Sequence, residues 1–286
     1  MEPQLKKLGS SLQVPNVQEM AKEKLITVPS RYLRPNQDHL VSSIPENEIP
    51  VIDMQNLMEG DIMDSELEKL HSGMQRMGFL SGNHTGTQYK TGMDNVKEEP
   101  VASYRVNPIL CIKHVVTWLF ILDFCRDAID EYAAELKNLD MKILNLMAKA
   151  LHMKAEEMNV VFEEGMQSMR MNYYPPCPQP ELVTGLCPHS DSVALTILLQ
   201  VNEIEDILEM VTNGIYRSIE HRATVNSKKE RLSIATFFNP NMDGDLGPAP
   251  SLVTPETPAK FKTISFADYL KGLFSRELDG NHTSTP

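Results

Sequence analysis

Two histidines and one aspartate have the side chains that bind a catalytic metal ion. His189 and Asp191 form an H-x-D pair, and His221 follows in a second strand-like stretch. Residues i and i+2 of a strand point to the same face, so His189 and Asp191 could share one ion. Two histidines and a carboxylate leave one side of the ion open, as in non-haem Fe(II) sites. An H-x-D pair alone is weak, because two polar residues in a loop after Pro188 would give the same pattern.

A possible anion clamp follows the second histidine. Arg231 and Ser233 form an R-x-S pattern in a strand-like stretch, so the guanidinium and the hydroxyl would face the same way. Arginine binds carboxylates through paired, charge-assisted hydrogen bonds, and the serine hydroxyl adds another donor. A short turn separates His221 from Arg231, which predicts that the two are neighbours in a hairpin. A metal site beside such a clamp suits a dicarboxylate, with one end on the metal and the other on the arginine.

Several long segments carry these residues in a context that resembles a known family. The chain is similar to the plant 2-oxoglutarate/Fe(II)-dependent dioxygenases, in particular to norcoclaurine-synthase-like and O-demethylase-like members, related to flavonol and anthocyanidin synthases. The segments that carry the resemblance are MRMNYYPPCPQPEL, PHSDSVALTILLQVNE, DILEMVTNGIYRSIEHRATVNSKKERLSIATFF, GPAPSLVTPETPA and, in the N-terminal part, VPSRYLRP, IPVIDM and ELEKLHSGMQRMGF.

The resemblance implies a role for each matching residue. His189, Asp191 and His221 would bind Fe(II). The distal carboxylate of 2-oxoglutarate would be bound by Arg231 and Ser233, with Asn172 and Tyr174 as further hydrogen-bonding partners of the cosubstrate. No catalytic residue beyond the metal ligands is implied.

The resemblance also implies the reaction. Such enzymes use O2, release succinate and CO2, and require Fe(II), 2-oxoglutarate and ascorbate. They hydroxylate, desaturate or demethylate a small plant metabolite, such as a phenolic, an alkaloid or a hormone-like compound. The metal and cosubstrate carry the difficult chemistry, and the protein supplies orientation and a dry pocket.

Two regions depart from the family pattern. LLQVNEIE passes directly into DILEMVTNG, where family members have further strands, and residues 81–125 do not align with the family. Losing strands from a jelly roll would expose sheet edges. A non-catalytic or unstable truncated variant of the family is therefore an alternative, and a non-enzymatic binding or scaffold protein is a second one.

The order of elements favours an α+β protein. We expect a mainly helical N-terminal region followed by a C-terminal double-stranded β-helix (jelly roll) core that is incomplete. The predicted divisions are an N-terminal dioxygenase-type domain (1–80), a divergent segment (81–125), a helical scaffold (126–165), the Fe(II)/2-oxoglutarate domain (166–270) and a tail (271–286).

Periodicity and caps predict the individual elements. Residues 81–100 are polar and predict a long loop. Helices are predicted at 64–79, 126–152, 155–166 and 265–274, and strands at 49–54, 169–174, 194–201, 214–225 and 231–240.

Composition limits the partners and the cellular location that we expect for this protein. A formal charge of −12 argues against general binding to nucleic acid. The apolar stretch 109–122 is too short to cross a membrane and contains Lys113 and His114, so we expect a buried segment rather than a membrane span. Four scattered cysteines without a CxxC predict reduced thiols and a cytoplasmic protein, and Cys187 is expected to be a small buried side chain.

Overall fold

A computed structural model shows how the chain positions these residues. Its first described elements are short: helix α1 (Val17–Lys22) and a 3-10 turn at Ser30–Tyr32. The residues that the structure describes are 17–23, 25–33, 50–59, 63–77, 81–83, 115–199, 207–216, 218 and 221–275.

Strand β1 (Val51–Asp53) opens a small helical layer. It leads into helices α2 (Met54–Glu59) and α3 (Met63–Met77), so the predicted strand and the predicted helix from Asp64 are both confirmed. Strand β2 (Ser81–Asn83) pairs with β1 in parallel, although a loop was predicted there. The rest of that predicted loop, 84–100, lies outside the described residues.

A long helix forms the scaffold. Helix α4 (Val115–Ala150) begins before the predicted start at 126, so it includes part of the apolar stretch 109–122. The side chains of that part of the helix lie outside the described part of the chain, as do residues 109–114. His152 adopts φ of 55°, a left-handed conformation that ends the helix, and helix α5 (Ala155–Phe162) follows as predicted. No helix in the described part of the chain is long and apolar enough to span a bilayer.

The second half contains antiparallel sheets. Strand β7 (Arg231–Phe238) is the centre of a three-stranded sheet, between β3 (Gln167–Tyr174) and β5 (Leu195–Leu199). Strand β4 (Leu186–His189) pairs with β6 (His221–Ala223) in a separate sheet. The prediction that β6 and β7 form a hairpin is therefore wrong: the turn between them carries the chain from one sheet to the other.

The predicted strand at 214–225 is wrong at residues 214–216. Helix α6 (Ile207–Val211) ends in a tight turn, where Asn213 has φ of 52° and Gly214 has φ of 76°. The Gly214 N–H donates to the Glu209 carbonyl, which closes this helical C-cap. Tyr216 is then fully buried and hydrogen-bonded to His71 of α3 at 2.9 Å, so it belongs to the helical packing and not to a sheet.

The C-terminal described region closes the structure. Strands β8 (Asp245–Leu246) and β9 (Ile264–Ser265) pair in antiparallel fashion, and helix α7 (Phe266–Ser275) confirms the predicted terminal helix. One core connects the helices to the sheet. Its largest fully buried side chains are Ile52, Leu57, Leu70, Met74, Leu144, Met147, Met158, Leu195, Tyr216 and Phe266.

Candidate metal centre and cosubstrate site

The β4–β6 pair brings the two candidate histidines together. His189 and His221 occupy directly paired positions, and their ring centroids are 4.1 Å apart. Side chains at paired antiparallel positions point to the same face, so strand pairing alone aligns the two imidazoles. Their distance in sequence is therefore no obstacle to a shared ion.

Asp191 completes the group from the turn after β4. Its Oδ1 lies 3.1 Å from Nε2 of His189 and 3.9 Å from Nε2 of His221. Strand β4 ends at His189, so the turn places the carboxylate, and the expectation that both residues sit within one strand is wrong. Its other oxygen, Oδ2, accepts a hydrogen bond from the Thr196 hydroxyl at 3.2 Å.

The backbone orients His189. Nδ1 lies 2.7 Å from the carbonyl oxygen of Cys187, a distance at which a protonated Nδ1 donates, and this contact turns Nε2 toward Asp191. Burial would lower the pKa of His189, but its hydrogen bonds to Asp191 and to the Cys187 carbonyl outweigh that effect and raise it. The expectation of a buried Cys187 side chain is wrong, since the residue is exposed.

The donor set fits a divalent iron ion. One ligand atom from each of His189, Asp191 and His221 lies within 4.8 Å of the others. Two imidazole nitrogens and one carboxylate oxygen are the ligands that non-haem Fe(II) sites use. All three residues are only partly buried, so small molecules have access to the group.

The four candidate cosubstrate residues share one face of the three-stranded sheet. Tyr174 pairs with Arg231 and Asn172 pairs with Ser233 across β3 and β7. The Asn172 amide lies 3.5 Å from the Ser233 hydroxyl, and the Arg231 guanidinium carbon lies 5.3 Å from the Tyr174 ring centre. Thr196 belongs to the same face of β5, because it pairs with Phe237 of β7. Through Thr196, this face contacts the metal centre.

Two residues of the site were missed in the sequence. Thr196 contacts Asp191 directly, and Arg170 lies on the same face as Asn172, two residues away along β3. Alternation along the strands 169–174 and 194–201 could have placed both residues facing the site. Alternation alone does not single them out, because a threonine in a strand and an arginine at a strand surface are common.

Comparison with known proteins identifies the family. Residues 165–240, which contain all seven predicted site residues, match the family model of the 2OG-Fe(II) oxygenase superfamily. Oxoglutarate-dependent flavonoid 7-O-demethylase 1 of Ocimum basilicum is 42% identical over 339 positions, covering 96% of this chain and 91% of the relative. Codeine O-demethylase of Papaver somniferum is 37% identical, covering 97% of each chain.

The alignment with the flavonoid 7-O-demethylase also concerns the segments that this chain was predicted to lack. It extends over 339 positions, whereas the chain has 286 residues. The relative therefore has residues for which this chain has no counterpart, although the matched region reaches almost from end to end.

Solved structures share the fold. A crystal structure of JOX2 in complex with 2OG, Fe and JA has a TM-score of 0.68 at 24% identity and covers 96% of both chains. The crystal structure of a dioxygenase for auxin oxidation in rice has a TM-score of 0.59 at 17% identity, covering 80% of this chain and 95% of the other.

The resemblance stated from the sequence motifs is thus confirmed by relatives that span nearly the whole chain. The cofactors of this family are Fe(II) and 2-oxoglutarate, and the described residues contain a ligand set suited to the metal. The chain belongs to the plant 2-oxoglutarate/Fe(II)-dependent dioxygenase family.

Proposed function

We propose that this dioxygenase binds its Fe(II) through His189, Asp191 and His221 and oxidises a small plant metabolite. The observation that carries the proposal is the convergence of these three side chains from β4, the following turn and β6. When bound, the iron activates O2 for attack on the organic substrate. The chain contributes orientation: the Cys187 carbonyl fixes the tautomer of His189, and Thr196 holds Asp191.

We further propose that Arg231 and Ser233 bind the distal carboxylate of 2-oxoglutarate. Both side chains lie on the sheet face that contacts Asp191 through Thr196. Arginine offers two parallel N–H donors to a carboxylate, and the Ser233 hydroxyl supplies a third. The Tyr174 ring lies against the Arg231 guanidinium and would limit its movement. The Asn172 amide donates to the Ser233 hydroxyl and would orient it.

The arrangement of strands supports an incomplete double-stranded β-helix. The sheets β3–β7–β5 and β4–β6 carry the clamp and the metal ligands respectively, and the chain crosses between them at 224–230. This division supports a functional domain at 166–270, with the helices of 126–165 as its scaffold. We also propose a cytoplasmic location, because the cysteine pattern suits a reducing compartment.

Among hydroxylation, desaturation and demethylation, we propose O-demethylation of a methyl ether. Support comes from the activities for which relatives at 37–42% identity are named, one a flavonoid 7-O-demethylase and the others O-demethylases of codeine and thebaine. The balanced reaction consumes the ether, 2-oxoglutarate and O2. It yields the free hydroxyl compound, formaldehyde, succinate and CO2.

Succinate release tests the proposal. Purified protein would be incubated with 2-oxoglutarate, Fe(II), ascorbate and a panel of methylated flavonoids and alkaloids, with succinate and formaldehyde measured. We expect Fe(II)-dependent succinate release from the native chain and none from Asp191→Ala. An Asp127→Ala variant, which changes an exposed aspartate on α4, should match the native chain. Succinate release that survives in Asp191→Ala would refute the assigned metal site.

One observation favours a second candidate, a non-catalytic variant of the family. The chain lacks residues that the relatives have, and the strand pair β4–β6 that carries both histidines is short. Such a variant would bind metal and 2-oxoglutarate without releasing succinate. Binding measured alongside turnover therefore separates the two candidates.

A further inference from the structure

Gly185 lies where the chain passes from the proposed cosubstrate site to the strands that carry the proposed metal ligands. It is the residue before strand β4, and its backbone N–H donates to the carbonyl oxygen of Ala223 in β6 at 2.9 Å. Farther back in the same loop, the Cys177 N–H donates to the carbonyl oxygen of Asn226. The loop between β3 and β4 is therefore tied at two points to β6 and the chain that follows it.

The ring of Tyr174 occupies the space beside Gly185. A Cβ atom on Gly185 would lie 2.9 Å from both Cδ1 and Cε1 of that ring, and 3.1 Å from the Ala223 carbonyl oxygen. Carbon atoms that are not bonded to each other prefer a separation of about 3.5–4.0 Å, so no side chain fits at this position while the ring stays in place. Glycine therefore allows the start of β4 to approach the ring this closely.

The same ring lies against the proposed carboxylate clamp. Tyr174 is the last residue of β3 and pairs directly with Arg231, the first residue of β7. The Arg231 guanidinium carbon is 5.3 Å from the ring centre, a distance at which a cation is attracted to an aromatic face. The ring therefore contacts Gly185 at the start of one sheet and Arg231 at the end of the other.

These two contacts limit where the ring can lie. A residue with a Cβ at position 185 would have to move either the ring or the backbone of the loop. The hydrogen bonds to Ala223 and Asn226 hold the backbone, whereas a tyrosine side chain turns about single bonds. The ring would therefore move first, and Arg231 would lose the surface that orients its guanidinium toward the carboxylate.

We propose that Gly185 is a positioning residue for cosubstrate binding: the absence of a side chain lets the Tyr174 ring hold Arg231 in place for the distal carboxylate of 2-oxoglutarate. This inference rests on the proposed function and adds a link between the two sheets. The strand pair that carries the proposed metal ligands would set the position of the clamp through one glycine–tyrosine contact. Gly185 acts through Tyr174 and not by contact with the cosubstrate.

The test measures binding by the full chain, with Mn(II) in place of Fe(II) so that no turnover occurs. Calorimetry gives the affinity for Mn(II) alone and then for 2-oxoglutarate in the presence of Mn(II). We expect Gly185→Ala to weaken 2-oxoglutarate binding by about fivefold or more, as for the loss of a cation–π contact, and to change Mn(II) affinity by less than about twofold. In a Tyr174→Ala background, where the ring is absent, Gly185→Ala should cause no further loss.

Gly244→Ala is the matched control. A Cβ at this position would also lie close to a backbone carbonyl oxygen, that of Asn241 at 3.3 Å, and its nearest neighbours all belong to Asn241. This variant should leave 2-oxoglutarate affinity unchanged. Circular dichroism checks that each variant is folded. Should Gly185→Ala alone fail to fold, the inference requires that the double variant with Tyr174→Ala fold and bind 2-oxoglutarate as Tyr174→Ala does.

Three results would overturn the inference. The first is native 2-oxoglutarate affinity in Gly185→Ala. The second is an equal loss on adding Gly185→Ala to Tyr174→Ala, or a double variant that does not fold. The third is a loss of Mn(II) affinity in Gly185→Ala as large as its loss of 2-oxoglutarate affinity. Failure of the native chain to bind Mn(II) and 2-oxoglutarate would instead refute the proposed function, and this inference with it.

Discussion

At the scale of single residues, the proposed metal ligands are held by neighbours that do not themselves bind the ion. His189 is oriented through a backbone carbonyl, and Asp191 through a threonine hydroxyl. Such partners fix the direction of a ligand and its protonation state, and removing one typically weakens metal binding by about 10–100-fold. Thr196 is the partner that substitution can test.

Thr196→Val keeps the shape of the side chain but removes the hydroxyl that donates to Asp191. We expect Fe(II) affinity to fall by about tenfold, because the carboxylate loses one of the contacts that orient it. Thr196→Ser, which keeps a hydroxyl, should lie closer to the native value. Metal titration by calorimetry measures both variants, and an unchanged affinity in Thr196→Val would show that the hydrogen bond has no role in metal binding.

Arg231→Lys separates charge from shape in the proposed clamp. Lysine keeps the positive charge but loses the paired donors and the stacking on Tyr174. We expect the KM for 2-oxoglutarate to rise by about tenfold or more, with less effect on kcat. Lys229→Gln, which changes an exposed cation two residues away, is the control. A native KM in Arg231→Lys would argue against a two-pronged carboxylate contact.

At the scale of elements, the scaffold helix α4 carries a buried carboxyl group. Asp140 is 3% exposed, its Oδ1 has no hydrogen-bond partner in the described part of the chain, and burial raises its pKa to about 7 despite the opposing charge of Lys137. The unfolded chain would release this proton near pH 4. The native state therefore binds more protons between pH 4 and 7, and the protein loses stability as the pH rises through that window.

Asp140→Asn removes this titration. We expect the variant to be more stable than the native chain at pH 8, by up to about 4 kcal/mol, with the difference shrinking toward pH 4. Asp130→Asn, at an exposed position of the same helix, should show no such pH dependence. Urea unfolding at several pH values gives the comparison. A constant difference across pH would contradict the raised pKa.

The junction between α5 and β3 depends on a glycine. A Cβ on Gly165 would lie 2.1 Å from the Asn239 carbonyl oxygen, so the two backbones approach more closely than any side chain allows. We expect Gly165→Ala to destabilise the fold by about 3 kcal/mol. Gly272→Ala in α7 meets no atom within 4 Å and should be neutral or stabilising by about 0.5–1 kcal/mol. Thermal unfolding compares the two variants, and an equal change in stability in both would show that the close backbone approach at Gly165 does not matter.

The elements show what the sequence could and could not predict. Apolar periodicity and caps located α3, a β-branched apolar run located β5, and an alternating apolar stretch located β7, because each signal is local. The proline-rich turn after Tyr174 marked the end of β3. Strand pairing is not local, so the hairpin predicted between His221 and Arg231 was wrong. The strand predicted at 214–225 was wrong at residues 214–216, because the turn at Asn213 and the burial of Tyr216 against His71 outweigh strand propensity.

At the scale of the whole molecule, the site joins separate parts of the chain. The proposed metal ligands come from the β4–β6 sheet and the segment that follows β4, whereas the proposed clamp comes from β3 and β7. Sequence motifs predicted the candidate site residues, because many residues of the family's motifs lie in this part of the chain. They did not single out Thr196, whose contact with Asp191 forms only where the two sheets meet.

The main question about the whole molecule is whether its shortened core still forms a metal site. Its relatives have residues that it lacks, yet it keeps all three proposed metal ligands and the four proposed cosubstrate residues. In the structure the β4–β6 pair aligns His189 with His221, and the segment after β4 adds Asp191 to them. The account therefore predicts that the shortened core still forms a metal site.

Equilibrium dialysis against Fe(II) under anaerobic conditions, with 2-oxoglutarate present, tests this claim most directly. We predict one Fe(II) bound per native chain and no comparable binding by His221→Ala, with circular dichroism showing that the variant remains folded. His152→Ala, at an exposed histidine after α4, should bind as the native chain does. A native chain that binds no iron, or a folded His221→Ala that binds it equally well, would contradict the account.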